Sequence, residues 1–194
     1  TYCQSRPHRV CVISQIKITL HTQNFGIWYP KRASFNLVGY SVSDYAGEKV
    51  DRKYTSGTCQ FLGRSLVSWS SEKQNSVSLS IAEEEYIAAR SCCAQLLWMT
   101  QTLKDYGIYV KHVPLLCDNE SAIKIAHNPV QHSRTKHIEV RHHFFRDHVA
   151  KGDINLKHVR TDKQFADIFT KPLNEKVFRK LRGELNIIDA SNLE

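Results

Sequence analysis

The chain has 194 residues, 41% of them hydrophobic and 24% charged, which fits one domain with an appendage and excludes wholesale disorder. Lys and Arg number 27 against 19 acids, giving a formal charge of +8. That excess favours polyanion partners such as nucleic acid, with a basic but inert surface as the alternative. The six cysteines form no C-x-x-C pair, so they read as reduced, mostly buried thiols and not as a disulfide frame. The reduced thiols point to an intracellular protein; no apolar run approaches membrane-spanning length and no signal peptide is visible. A chain that starts at Thr1 reads as a fragment of something longer or as a processed product.

Residues 1–29 are poorly patterned. His8, Val12, Ile16, Ile18 and Leu20 suggest a short helix, and Phe25–Tyr29 a short strand ended by Pro30. Phe35 to Asp44 reads as a strand with Val38, Tyr40, Val42 and Asp44 on one face. Strands over 58–62 and 65–69 flank Gly63-Arg64 as a hairpin, followed by a polar loop over 70–76. Glu83 to Tyr106 is the longest helical pattern, with Tyr86, Ala89, Cys93, Leu96, Leu97, Thr100 and Leu103 at helical spacing. Ser80 caps its start and Gly107 its end. A buried strand over 113–118 runs into a helix over 120–127, stopped by Asn128-Pro129. A helix over 138–149, a strand over 154–159, a helical stretch over 162–169 and a last amphipathic helix around Val177–Leu185 follow. Early strands in hairpins and later strands separated by helices predict an α/β (α+β mixed) fold with a five-stranded mixed sheet covered by helices.

Carboxylates stand at element ends. Asp44 ends the first sheet strand, Glu83–Glu85 open the long helix, Asp118 closes a buried strand, and Asp167 follows the last strand. Four such acids at one sheet end can hold two Mg²⁺ ions about 4 Å apart and support in-line phosphodiester hydrolysis. Bland readings stay open: Glu83–Glu85 also suit a helix dipole, and Asp167 a solvated helix. Asp118 is harder to dismiss, because a carboxylate closing a buried strand needs partners. A basic stretch contains His132, Arg134, Lys136, His137, Arg141, His142, His143 and Arg146. It reads as a phosphate-contacting face or as a solvated helix face. A zinc site among its histidines lacks a cysteine at ligand spacing, and no Gly-x-Ser-x-Gly supports a serine hydrolase.

Six runs now carry a resemblance: Leu-Val-Gly-Tyr-Ser (37–41), Asp-Arg-Lys-Tyr-Thr-Ser-Gly (51–57), Glu-Glu-Glu-Tyr-Ile-Ala (83–88), Cys-Asp-Asn-Glu-Ser-Ala (117–122), His-Ser-Arg-Thr-Lys-His-Ile (132–138) and Ala-Asp-Ile-Phe-Thr-Lys-Pro-Leu (166–173). In that order they closely resemble the ribonuclease H region of copia-type retrotransposon Pol polyproteins, plant elements among them. The likeness covers about residues 25–188. It implies a ribonuclease H-like domain over 25–174, a C-terminal helix and tail over 175–194, and the degraded end of a preceding reverse transcriptase segment over 1–24. It also implies Mg²⁺-dependent cleavage of the RNA strand of RNA–DNA hybrids, in a cytoplasmic particle or the nucleus, beside reverse transcriptase and integrase segments of the same polyprotein. The resemblance places the second, third and fourth acids of the family, as metal ligands and catalytic groups, on Glu85, Asp118 and Asp167. Within the basic stretch, its charge makes Arg134, Lys136, His137 and Arg141 the residues expected to contact hybrid phosphates. The family's first acid, which bridges both metals, falls on Val42. Asp44 is the candidate stand-in on the same strand face, about 6.7 Å further along, more than catalytic geometry tolerates unless the strand end bends back. The expectation is weak or absent nuclease activity, with a non-catalytic relic that binds nucleic acid or supports a neighbouring polymerase segment as the alternative.

Overall fold

A computed structural model describes residues 9–12, 25–30, 34–44, 54–74, 80–128 and 139–189, with backbone alone at 9–12 and 139–142. Its main sheet has five strands: β3 (Leu37–Asp44), β4 (Thr55–Leu62), β5 (Ser65–Lys73), β6 (Val113–Cys117) and β7 (Ile154–His158). Their order is β5-β4-β3-β6-β7, which makes β3 the centre. β3, β4 and β5 pair antiparallel, whereas β3, β6 and β7 run parallel. The predicted hairpin turns at Gly63, whose φ of 66° suits a residue without a Cβ. The predicted loop over 70–76 is corrected in part, because β5 continues to Lys73, opposite Thr55. Its polar residues misled because β5 is an edge strand with an exposed end.

The long crossover from β5 to β6 is helix α1 (Ile81–Asp105). Ser80 caps it as the sequence implies, its hydroxyl accepting from the Glu83 N–H at 3.2 Å. Tyr86, Ala89, Cys92, Cys93, Leu96 and Met99 press one side of α1 onto Leu37, Val113, Leu115 and Cys117 of the sheet. α2 (Glu120–His127) and α3 (Glu139–Ala150) complete this layer. Burying that apolar surface is the main stabilising term for the domain, at about 25 cal/mol per Å². The four cysteines with described side chains are buried free thiols, as the spacing implies.

The opposite face of the sheet has its own core of Val42, Cys59, Phe61 and Leu66. The helical stretch over 162–169 is in fact two 3₁₀ turns, η1 (Thr161–Lys163) and η2 (Phe165–Phe169). η2 lies on this core, Ala166 being fully buried in it. Gly57, opposite Val42, permits the approach: a Cβ there would come within 2.6 Å of Thr170 Cγ2 and 3.0 Å of the Ala166 carbonyl. Ile27, Leu185 and Ile187 close the same core. They come from a second sheet of β1 (Arg9–Val12), β2 (Phe25–Tyr29) and β8 (Ile187–Asp189), and from the end of helix α4 (Glu175–Glu184). Residues 9–12 are therefore strand where the sequence suggested helix; the rest of that suggested helix lies outside the described residues. This sheet takes one strand from each of the segments 1–24, 25–174 and 175–194.

Candidate metal centre

β3 and β6 are in register at Ser41 and Cys117, their last paired residues. One step further stand Val42 and Asp118, so adjacent parallel strands would bring a side chain at 42 within about one strand spacing of Asp118. Asp118 is half-buried, at the turn between β6 and α2. The Thr161 hydroxyl lies 3.5 Å from its Oδ2 as a long donor. Asn119 caps α2 by accepting from the Ala122 N–H at 3.0 Å, which fixes the turn that carries Asp118.

Glu85 reaches the same place from the first turns of α1. Because β6 pairs with β3 only as far as Ser41, the Ser43 N–H is available and donates to Glu85 Oε1 at 2.9 Å. Glu85 is 4% exposed. Burial pushes its carboxyl up to about 8, against the lowering effect of the Ser43 hydrogen bond, and the Asp118 charge adds to the rise. Cys117 Sγ lies 3.9 Å from Glu85 Oε2. Glu85, Cys117 and Asp118 each offer a ligand atom within 4.8 Å of the others. Burial and the Glu85 charge raise the Cys117 thiol to about 12, so the thiol stays protonated near neutral pH and the carboxyl groups are the ligand candidates, Glu85 once it has lost its proton. Hard oxygen donors suit a hard divalent cation.

Asp167 comes from the other face. It lies in η2, and Lys171 Nζ sits 2.8 Å from its Oδ1. Burial raises the Asp167 carboxyl and outweighs the lowering by Lys171; Asp118 and Asp44 push the same way. Lys171 shows the reverse balance, its ammonium raised by Asp167, Asp118 and Asp44 although burial acts against it. Asp44 is half-buried at the end of β3 and acts on this Asp167–Lys171 side. Among the described residues, neither Asp44 nor Asp167 joins the close group of Glu85, Cys117 and Asp118. Val42 is 1% exposed and packed in the second core.

Two buried amides hold the site together, and no sequence pattern singled them out. Gln164 donates from Nε2 to the Ser41 carbonyl at 2.9 Å and so ties the start of η2 to β3. Gln74 donates from Nε2 to Ser56 Oγ at 2.7 Å and lies 3.2 Å from the Glu84 carbonyl and 3.3 Å from Ser43 Oγ. It thus joins β3, β4 and α1 beside Glu85. A lone glutamine has no period, so only the contacts reveal it. Of the hybrid-contact residues, Arg134, Lys136 and His137 and the side chain of Arg141 lie outside the described residues. In the same stretch, Arg146 is placed with its guanidinium 6.0 Å from the centre of the Tyr86 ring, so it packs inward.

A three-stranded antiparallel meander extended by two parallel strands, with helices on the sheet, matches the ribonuclease H-like fold expected from the sequence. The relatives of the chain include retrotransposon Pol polyproteins, to one segment of which it is homologous. Over 168 residues, 86% of its length, it is 38% identical to the retrovirus-related Pol polyprotein from transposon RE2 of Arabidopsis thaliana. Over 167 residues it is 37% identical to that from transposon RE1 of the same plant. It spans only 12% and 11% of those two proteins. Among solved structures, it is similar to the N-terminal RNase H domain of a Mycobacterium tuberculosis protein, solved as a fusion with maltose-binding protein. That likeness has 10% identity and a TM-score of 0.49 over 77% of this chain and 98% of the other. No protein-family model matches the chain. No described helix is long and apolar enough to cross a membrane.

Proposed function

We propose that the chain is a ribonuclease H-type domain of a copia-type retrotransposon polyprotein whose cleavage of the RNA strand of RNA–DNA hybrids is impaired by Val42. The observation that carries this is the meeting of Glu85 and Asp118 at the ends of α1 and β6, with a buried valine on the neighbouring position of β3. Glu85 and Asp118 would hold Mg²⁺, and Asp167, the family's fourth ligand, would join them from η2 only on leaving Lys171. When bound, the metal would polarise the scissile phosphate and supply an activated water. The Ser43 N–H orients Glu85, and Gln164 sets the distance of Asp167 from β3. Glu85 must release its proton to act as a ligand, so divalent-ion binding should tighten as pH rises towards about 8.

The hybrid would be steadied by phosphate contacts from Arg134, Lys136, His137 and Arg141, with salt-sensitive and sequence-independent affinity. Reverse transcriptase and integrase segments of the same polyprotein would be the neighbours, with residues 1–24 as the end of the former. Such a protein would work in a cytoplasmic particle or the nucleus. A second reading, a non-catalytic relic that binds hybrid or supports the polymerase segment, is favoured by the inward packing of Val42. The test is cleavage of a labelled RNA–DNA hybrid in Mg²⁺. Weak or absent cleavage with retained hybrid binding is expected, and cleavage at an ordinary ribonuclease H rate would overturn the impairment.

A further inference from the structure

Asp44, Glu85, Asp118 and Asp167 stand about the sheet end, and the Lys171 ammonium lies among them. It follows η2, four residues after Asp167, and its Nζ lies 2.8 Å from Asp167 Oδ1. Asp118 and Asp44 act on the same ammonium, and the ammonium acts on Glu85. One tethered positive charge therefore lies in the field of all four carboxylates.

The contact has a consequence for metal capacity. A carboxylate neutralised by an ammonium at this distance is a weaker ligand for a divalent ion, because the two cations repel each other across it. Asp167 is thus engaged on the η2 side, while Glu85 and Asp118 offer ligand atoms within 4.8 Å of each other. Val42 supplies no ligand between the two groups and lies in the apolar core. The pair is also not a surface ion pair of small effect, because Asp167 is buried and Lys171 half-buried.

We propose that Lys171 is a built-in substitute for a second divalent ion, so that this chain takes a single ion, held by Glu85 and Asp118. The inference rests on the metal-binding reading above. Its test is to titrate the full chain with Mg²⁺ by calorimetry and to count bound Mn²⁺ by electron paramagnetic resonance, for the parent, Lys171→Met, Lys171→Gln and Lys171→Arg. Thermal melts by circular dichroism check folding, and Lys171→Gln retains a hydrogen-bond donor for Asp167 should Lys171→Met unfold. One ion is expected in the parent and in Lys171→Arg. The two neutral variants should bind a second ion, or the first at least about tenfold tighter, as removing a competing charge in a buried site demands. Unchanged stoichiometry and affinity in both neutral variants would overturn the role of Lys171 and leave the metal site standing. Two ions in the parent would overturn it as well. No ion in any folded variant would remove the metal-binding reading together with this inference.

Discussion

The two halves of the acidic site solve the same problem differently. On the α1 side, Glu85 is buried beside Asp118 and relieves the cost of a buried charge by retaining a proton up to about pH 8. On the η2 side, Asp167 is buried beside Lys171 and relieves it with an internal cation. Val42 stands on the strand between the halves and contributes packing alone. Like charges brought together out of water need a proton, a counter-ion or a metal, and without metal this chain uses the first two.

The sharpest way to break the contrast is to join the halves. Val42→Asp adds a carboxylate one strand spacing from Asp118. If the rest of the site is intact, hybrid cleavage in Mg²⁺ should rise on the order of 10²-fold or more, the scale at which misplaced catalytic groups cost rate. Without metal the same change should destabilise the fold by about 1–3 kcal/mol, since it buries a polar group in an apolar cluster. Mg²⁺ should recover part of that loss in urea denaturation. A Val42→Asp protein that folds, binds hybrid and still leaves it uncut would show that the missing acid is not the cause.

Next comes the tie between the halves. Gln164→Ala leaves the Ser41 carbonyl and the start of η2 without their buried partner. A loss of about 1–3 kcal/mol is expected in the urea midpoint. In the Val42→Asp background the same change should also weaken Mg²⁺ binding, because Asp167 is placed through η2. Equal metal affinity with and without Gln164 would detach Asp167 from the site.

The sequence made one half of this contrast far more legible than the other. Asp118 stands out because an apolar run, Val113–Cys117, ends in a carboxylate, and Glu85 because α1 is long, periodic and capped by Ser80. Both signals are local. The main sheet was legible for the same reason, since its hairpin and crossovers join neighbours in the chain. The second sheet was not, because β2 pairs with β8 some 160 residues on, and β8 is only Ile187–Asp189. Three residues cannot display an alternation. Lys171 and Gln164 were hidden for a related reason: 3₁₀ turns expose no stripe, and the meaning of a buried lysine or amide lies in its partners. Val42 was legible only by comparison with a family motif, because on pattern alone it is an ordinary strand residue.

The smallest expected effect tests the proton on Glu85. Its carboxyl is raised from the ordinary value of 4.5 to about 8. Between those values the folded chain holds a proton that the unfolded chain has released. That contribution is complete below about pH 4.5 and is lost as pH rises through about 8, so stability should fall with pH across the window. The slope is at most about 1.4 kcal/mol per pH unit for one proton. Asp167, also raised, adds to the slope in the same direction. Lys171 stays charged throughout the window, since its own shift is upward. In Glu85→Gln the Glu85 part should vanish, and urea midpoints from pH 5 to 9 in EDTA should fall less steeply than in the parent. Parallel slopes would mean that Glu85 is ionised in the folded chain well below pH 8. The two halves would then both depend on Lys171, and the contrast between proton and counter-ion would collapse into one shared cation.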